Sequence, residues 1–350
     1  MDVDFLLVGQ GLAGTALSYR LINSGKSVHV IDQAANNNCS RIAAGLYNPI
    51  TGRKMVKTWF ADLLFPEIEP FYRGLEEFLG SKFLYSRSTY RPFISIEEQN
   101  EWMGRSGEEE FSRFIKRVVT KPQYKEVNDP YGGLLLNQTG YLDLNTMMDA
   151  YTLWLKENGR LTEEIFDETQ LTVTSKGISY KNIKANAIIY ANGLGARSSR
   201  FFQWVPLIPN KGEILVIDQD FSPEEIINRG VFRITLPDKT KKVGSTYNPR
   251  EVNTGPTQAA KDELIEKLEK LISLPVKNIV EHKTGVRPTT GDRKPILGKH
   301  PDHENVYMFN GFGAKGVSLV PYFSGIMLDL LFYKKEPPKE SNISRFFKYI

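Results

Sequence analysis

The hydrophobic pattern is clearest at the start of the chain. Phe5-Leu6-Leu7-Val8 is a continuous apolar run of the kind a strand buried on both faces carries. It leads into Gly9-Gln10-Gly11-Leu12-Ala13-Gly14, after which Leu17, Leu21 and Ile22 recur at helical spacing. A second apolar run, Val28-His29-Val30-Ile31, ends on Asp32. The order is strand, glycine turn, helix, strand and terminal acid.

Further on, residues 57–80 place aromatic and aliphatic side chains at helical intervals, and 82–95 reads as strands. Residues 97–118 read as a charged helix. Gly132-Gly133-Leu134-Leu135-Leu136 and Gly140-Tyr141-Leu142-Asp143 predict strand and turn, and residues 144–158 a helix closed by Gly159. Short strands are expected at 171–174, 177–180 and 187–191, the last running into Asn192-Gly193-Leu194-Gly195-Ala196. From 205 to 247 the pattern is β, followed by a charged helix over 257–272. Val306-Tyr307-Met308-Phe309-Asn310, a glycine segment and a helix through 333 close the pattern. No run is read as reaching the roughly 20 apolar residues of a membrane-spanning helix. The interleaving predicts an α/β protein in which 1–80, 140–204 and 285–350 form a discontinuous Rossmann-like cofactor domain. Residues 81–139 and 205–284 form an inserted, mostly antiparallel substrate domain.

The first element has a chemical logic. Gly9 permits the tight turn, Gly11 lets backbone approach a pyrophosphate, and Gly14 allows close helix–sheet packing. The free N–H groups at the helix start, around Leu12 and Ala13, suit phosphate oxygens. Asp32 stands where a carboxylate accepts ribose hydroxyls, with Gln33 beside it. The pattern as a whole predicts a bound dinucleotide rather than a glycine turn in an ordinary α/β unit.

Composition narrows the class only slightly. Apolar content of 41% and charged content of 25% are ordinary for a soluble globular chain, and 350 residues allow two domains. The net charge of +4 is too small to argue for nucleic acid. The single cysteine, Cys39, excludes an intrachain disulfide, and histidines 29, 282, 300 and 303 match no zinc pattern, so no metal is expected. His300 and His303 are read as solvated loop residues. The start lacks a secretory pattern, so a cytoplasmic location is expected.

The tail adds a resemblance. Gly285-Val286-Arg287-Pro288-Thr289-Thr290-Gly291-Asp292 with Pro295-Ile296-Leu297-Gly298 resembles the closing signature of the D-amino-acid oxidase and glycine oxidase superfamily. Gly311-Phe312-Gly313-Ala314-Lys315-Gly316-Val317-Ser318-Leu319-Val320-Pro321 resembles its final glycine loop. Ala191-Asn192-Gly193 is similar to its central strand-end motif, and Lys211-Gly212-Glu213 and Val243-Gly244-Ser245-Thr246 to its substrate-domain strands. The resemblance implies FAD, two domains, and oxidation of a C–N bond in an amino acid or N-substituted glycine by hydride transfer to flavin N5. Oxygen or another acceptor would reoxidise the flavin. One branch of the superfamily acts on a carboxymethylaminomethyl group of tRNA wobble uridine, and Ala44-Gly45-Leu46-Tyr47-Asn48-Pro49 resembles its small-residue segment. That activity and a non-catalytic flavin-binding protein remain the alternatives.

The resemblance also assigns roles. Arg287 is expected to clamp a substrate carboxylate, with Asp292 as the partner if the arginine is merely structural. Lys315 is expected near the flavin or the carboxylate, against a solvent-exposed reading. Gly285, Gly311, Gly313, Ala314 and Gly316 join it at the flavin. Ser40, Arg41, Ala43, Ala44 and Gly45 are expected along flavin and pyrophosphate, and Ala191, Asn192, Gly193 and Val173 complete the cofactor set. Apart from the resemblance, Tyr247 lies on the inserted sheet and is expected to contact substrate if its strand face is the pocket face, which alternation alone leaves open. Arg233, Tyr90, Arg91, Tyr47, Asn48, Arg53 and Lys54 are weaker candidates, each with a packing or surface alternative. His282 is read as structural. No nucleophile triad emerges. An amine bound neutral needs no strong base, because the protein's part is alignment.

Overall fold

The computed structural model describes residues 1–33, 39–252 and 254–350. The expected ordered loop at Asn36-Asn37-Asn38 lies outside the described residues. Two eight-stranded sheets organise the chain. In the first, Asp2–Val8 lies between Val28–Asp32 and Ile183–Tyr190, parallel to both. Such a strand is covered on both faces, which is why residues 5–8 read as an unbroken apolar run. Leu161–Glu163 extends the sheet beyond Val28–Asp32. On its far side Ile183–Tyr190 carries two neighbours. Gly177–Tyr180 pairs antiparallel with its first half and Val306–Asn310 parallel with its second.

The second sheet runs Asn278–Thr289, Ile208–Asp218, Lys241–Gly244, Val231–Thr235, Ile226–Arg229, Thr89–Pro92, Gly133–Leu136, Ile115–Val119. All of its pairings are antiparallel except Ile226–Arg229 with Thr89–Pro92. The helix Gln258–Leu271 covers one face, burying Leu264, Leu268 and Leu271 against Leu215, Ile217 and Val243. Thr257 caps it by accepting from the Ala260 N–H.

Helices Leu12–Asn23, Ala61–Leu79 and Gly316–Tyr333 bury Leu17, Leu64, Phe71, Val320, Phe323 and Met327 in one cluster beside the first sheet. Arg20 ties two of them together by donating to Ser324 Oγ at 2.8 Å and to the Pro321 carbonyl at 2.7 Å. Contrary to the sequence expectation, Gly313–Tyr333 is long and apolar enough to cross a membrane by length and composition. Here much of that surface is buried against protein, so its composition reflects a core position.

Four further expectations change. Residues 97–118 are two short helices, Ile96–Arg105 and Glu109–Ser112, followed by the strand Ile115–Val119. Arg287 lies near the end of the strand Asn278–Thr289, just before the turn at 291–292, and that strand runs through the expected domain border at 284/285. Its pairing along the full length of Ile208–Asp218 keeps it extended. The strand expected over 243–247 stops at Gly244. His300 is buried rather than solvated, with Phe201, Phe202 and Trp204 around its ring.

Candidate active site

The C-terminal ends of Asp2–Val8, Val28–Asp32 and Ile183–Tyr190 open into a cavity of about 570 Å³. This is the crevice at the carboxyl edge of an open α/β sheet, the usual ligand position for such folds. Of the expected cofactor residues, Gly9, Gly11, Leu12, Ala13, Asp32, Gln33, Ser40, Ala191, Asn192, Gly193, Gly313 and Gly316 line it. Gly9 has φ +100°, and a Cβ on it would come within 2.7 Å of Asn192 Cα. Gly14 lies behind the turn, where a Cβ would stand 1.9 Å from the Gly9 carbonyl oxygen. It shapes the turn without reaching the cavity.

Polar groups here are arranged for a polyol and a phosphate. Asp32 Oδ1 accepts from the Gln10 N–H at 2.8 Å, and burial raises its carboxyl above the ordinary value despite that bond. Ser40 Oγ accepts from the Leu12 N–H at 3.1 Å, so a hydroxyl oxygen already sits at the helix start. Asn192 Oδ1 is buried with no hydrogen-bond partner among the described residues. A buried acceptor with no donor is costly, and a donor on a bound molecule would satisfy it. The residues therefore fit a dinucleotide.

A second cavity, about 220 Å³, shares Leu12, Cys39, Ser40, Gly313 and Gly316 with the first. Ala43, Ala44, Gly45, Gly285, Arg287 and Ala314 also line it, bringing the expected flavin and substrate residues together. Strand alternation on Ile208–Asp218 sorts its side chains. Asn210, Gly212 and Ile214 meet the Arg287 side of the sheet, whereas Lys211 and Glu213 form a buried ion pair at 2.8 Å.

Arg287 Nη2 donates to Ser245 Oγ at 3.0 Å, and Nη1 donates to Asn210 Oδ1 at 3.3 Å and the Thr246 carbonyl at 3.4 Å. All three acceptors are neutral, and among the described residues no carboxylate pairs with this guanidinium. Asp292, the local partner expected for a structural role, pairs instead with Arg345 at 3.0 Å. Burial lowers the Arg287 pKa from its usual value. It remains a guanidinium, charged at any working pH.

Other expected residues lie elsewhere. Val173 is on the outer strand of the Leu171–Thr174/Gly177–Tyr180 meander, opposite Ile178, and lines neither cavity. Glu164, Ile165, Phe166 and Glu168, just before that strand, occupy the cavity edge in its place. Arg41 reaches Asp149 at 2.6 Å. Gly311 serves the backbone, with φ +77° and its N–H on Asn310 Oδ1 at 2.8 Å. Lys315 Nζ donates to Thr51 Oγ1 and Thr58 Oγ1, each at 3.3 Å, outside the cavity lining. Tyr247 is 59% exposed.

Tyr47 is buried outside both cavity linings, and its phenol is pushed up to about 12 by burial. Asn48 Oδ1 accepts from the Ile50 N–H at 2.9 Å. Arg233 is buried, donating to Gln219, Thr235 and the Phe221 carbonyl, so it is part of the second sheet's packing and not a pocket residue. Tyr90 donates to Asp129 at 2.6 Å, and Arg91 to the Gly52 carbonyl at 2.9 Å; both are structural. Arg53 and Lys54 are exposed. His282 pairs with Glu213 at 2.8 Å. Phe232, Ser245 and Ile214 line the second cavity without having been expected there. Alternation on neighbouring strands marks their faces only once the sheet order is known.

The family model of FAD dependent oxidoreductases matches residues 4–330. The chain is 20% identical to glycine oxidase of Bacillus subtilis (strain 168), across 94% of this chain and 93% of that protein. It is 20% identical to the tRNA 5-methylaminomethyl-2-thiouridine biosynthesis bifunctional protein MnmC of Legionella pneumophila (strain Corby), across 90% of this chain but about half, 52%, of that protein. Among solved structures, glycine oxidase from Geobacillus kaustophilus superposes with a TM-score of 0.76 at 18% identity, covering 96% of each chain. Iminodiacetate oxidase from Chelativorans sp. BNC1 gives 0.75 at 18% identity, covering 98% of each. With its glycine turn, carboxyl-edge cavity and inserted antiparallel sheet, the chain belongs to the FAD-dependent oxidoreductases of the D-amino-acid oxidase and glycine oxidase superfamily.

Proposed function

We propose that the chain oxidises the C–N bond of a small amine that carries a carboxylate, an amino acid or N-substituted glycine. The observation that carries this reading is Arg287. It is a largely enclosed cation with no carboxylate partner among the described residues, on a cavity that shares lining with the dinucleotide groove. A guanidinium held by neutral acceptors keeps its charge available, and its fork matches a carboxylate in two parallel hydrogen bonds.

FAD would lie along the first cavity, with Asp32 at the ribose and Gly11, Leu12 and Ala13 at the pyrophosphate. The Ala43–Gly45 and Gly313–Gly316 segments would border the flavin. Bound FAD supplies a two-electron acceptor for the amine. The protein's residues supply alignment. Arg287 fixes the carboxylate, and Ile214 and Phe232 present apolar walls that restrict water around the reacting carbon. No side-chain base is required of an amine that binds neutral; water completes the reaction by hydrolysing the product imine. Oxygen or another acceptor would take the electrons onward.

Anaerobic mixing of FAD-loaded protein with glycine, N-methylglycine and other small amino acids tests this reading. Bleaching of the flavin band by carboxylate-bearing amines is expected, and no bleaching by any of them would reject it. A uridine-borne substrate on tRNA keeps the same arginine and draws on the likeness to MnmC. It requires salt-sensitive tRNA binding.

A further inference from the structure

We infer that the entrance of the substrate cavity holds a second anion subsite, so that the preferred amine carries a second acidic group beyond the carboxylate on Arg287. The inference rests on the reading of the site as one for carboxylate-bearing amines. Its basis is the sorting of charge in the loop 290–294 and around Lys315.

Asp292 is the one acid of the loop 290–294, and its carboxylate, 38% exposed, is engaged by the loop itself and by Arg345. Its Oδ1 accepts from Thr290 Oγ1 at 2.8 Å and the Lys294 N–H at 3.1 Å, and its Oδ2 pairs with Arg345 at 3.0 Å. With that acid neutralised, the cations beside it remain. Arg293, in the left-handed region at φ +58° with its N–H on the Thr290 carbonyl, sets its guanidinium 6.0 Å from the Tyr247 ring centre. Lys294 stands 5.0 Å from the ring centre of Trp59. Lys315 donates to the hydroxyls of Thr51 and Thr58, next to Trp59 in the chain.

Each of the three cations faces a neutral group, and among the described residues none has a carboxylate within ion-pair distance. Burial, with a smaller repulsion from Arg293, keeps the Lys315 pKa below its usual value. Like charges gathered without a counter-ion cost stability and are relieved by a bound anion. None of the three cations is among the residues that line the cavity, and the group is tied to it through chain neighbours. Lys315 directly follows Gly313 and Ala314 of the lining, and Tyr247 follows Ser245 and Thr246, which hold Arg287. A substrate whose first carboxylate meets Arg287 can therefore extend a second carboxylate or a phosphate monoester toward Arg293 and Lys294.

Titration of FAD-loaded protein with unreactive acids, followed by the flavin absorbance change, tests this. The series would be acetate and propionate against malonate, succinate and 3-phosphopropionate, in low and high salt. The diacids are expected to bind at least about tenfold tighter than the monoacids, with the advantage shrinking in high salt. Succinate and phosphopropionate separate a carboxylate preference from a phosphate one. In R293S and K294S the ratio of diacid to monoacid affinity should fall toward one, and R293K should restore most of it. Equal affinities for monoacid and diacid in the unsubstituted protein, or a ratio untouched by R293S and K294S, would overturn the second subsite. Failure of every acid to perturb the flavin, with Arg287→Leu also without effect, would instead reject the carboxylate site on which it rests.

Discussion

Arg287 and Gly212 are packed so closely that a Cβ at position 212 would stand 1.9 Å from Arg287 Nη2. The two lie on neighbouring strands, where Gly212 pairs with Gly285 and Asn210 with Arg287. The missing side chain is the space in which the guanidinium lies. Glycine weakens a strand interior, and here close approach of a functional group accounts for it.

Gly212→Ala is therefore expected to displace the arginine while leaving the strand pairing intact. KM for a carboxylate-bearing amine should rise roughly tenfold or more, with a smaller change in kcat. Steady-state kinetics beside a thermal melt separates this from general unfolding. An unchanged KM with a normal melt would show that the guanidinium need not lie there.

Arg287→Leu removes a charge that has no carboxylate partner among the described residues, so no buried acid is left unpaired. Tm should stay within a few degrees, whereas kcat/KM should fall on the order of a hundredfold, the scale of a lost charge-assisted pair. Arg287→Lys should recover little of it, because a point charge does not reproduce the fork. A large loss of Tm with little change in kinetics would return Arg287 to a structural role.

Lys211 and Glu213, 0% and 2% exposed, fasten the segment that follows Arg287's acceptors. Glu213 accepts from the Thr257 N–H at 2.9 Å and the Thr257 hydroxyl at 3.0 Å, and Lys211 donates to the Gly255 carbonyl at 2.7 Å. Glu213→Gln should cost about 3–5 kcal/mol of stability by stranding a buried ammonium, and the double change of Lys211 and Glu213 to Met should recover much of it. Burial by itself raises the Glu213 carboxyl, but Lys211 and the Thr257 bonds outweigh it and hold the pKa below its ordinary 4.5. The contribution is thus complete above about 4.5 and is lost as pH falls through the lower folded value. Urea melts between pH 3 and 6 should show a slope that Glu213→Gln reduces; an identical slope would refute the assignment.

Gly14→Ala should be damaging at a distance from any ligand, since its Cβ would stand 1.9 Å from the Gly9 carbonyl oxygen. Relief requires the helix to move off the sheet, at about 1–3 kcal/mol, and the phosphate-facing N–H groups move with it. FAD content of the purified variant and the Tm of its apo form check this. Full flavin content at an unchanged Tm would contradict the packing argument.

Much of this molecule was legible from local pattern. The unbroken apolar run at 5–8, the positive φ that Gly9 supplies and the helical spacing after Gly14 are each set by residues a few positions apart. The same holds for Ala191-Asn192-Gly193 and the glycines before the last helix, so most expected cofactor residues converge on one crevice. Charge partners and strand neighbours obey no such local rule. Whether Asp292 would meet Arg287 or Arg345, whether Val173 would reach the crevice, and whether His300 would be solvated depended on elements far apart in sequence becoming adjacent. Sequence by itself determined the dinucleotide turn, because hydrophobic period and backbone torsion are local properties. Only the tertiary structure decided that Arg287, beside the second cavity, has no carboxylate partner among the described residues, because electrostatic compensation is settled by what packs around a group in space.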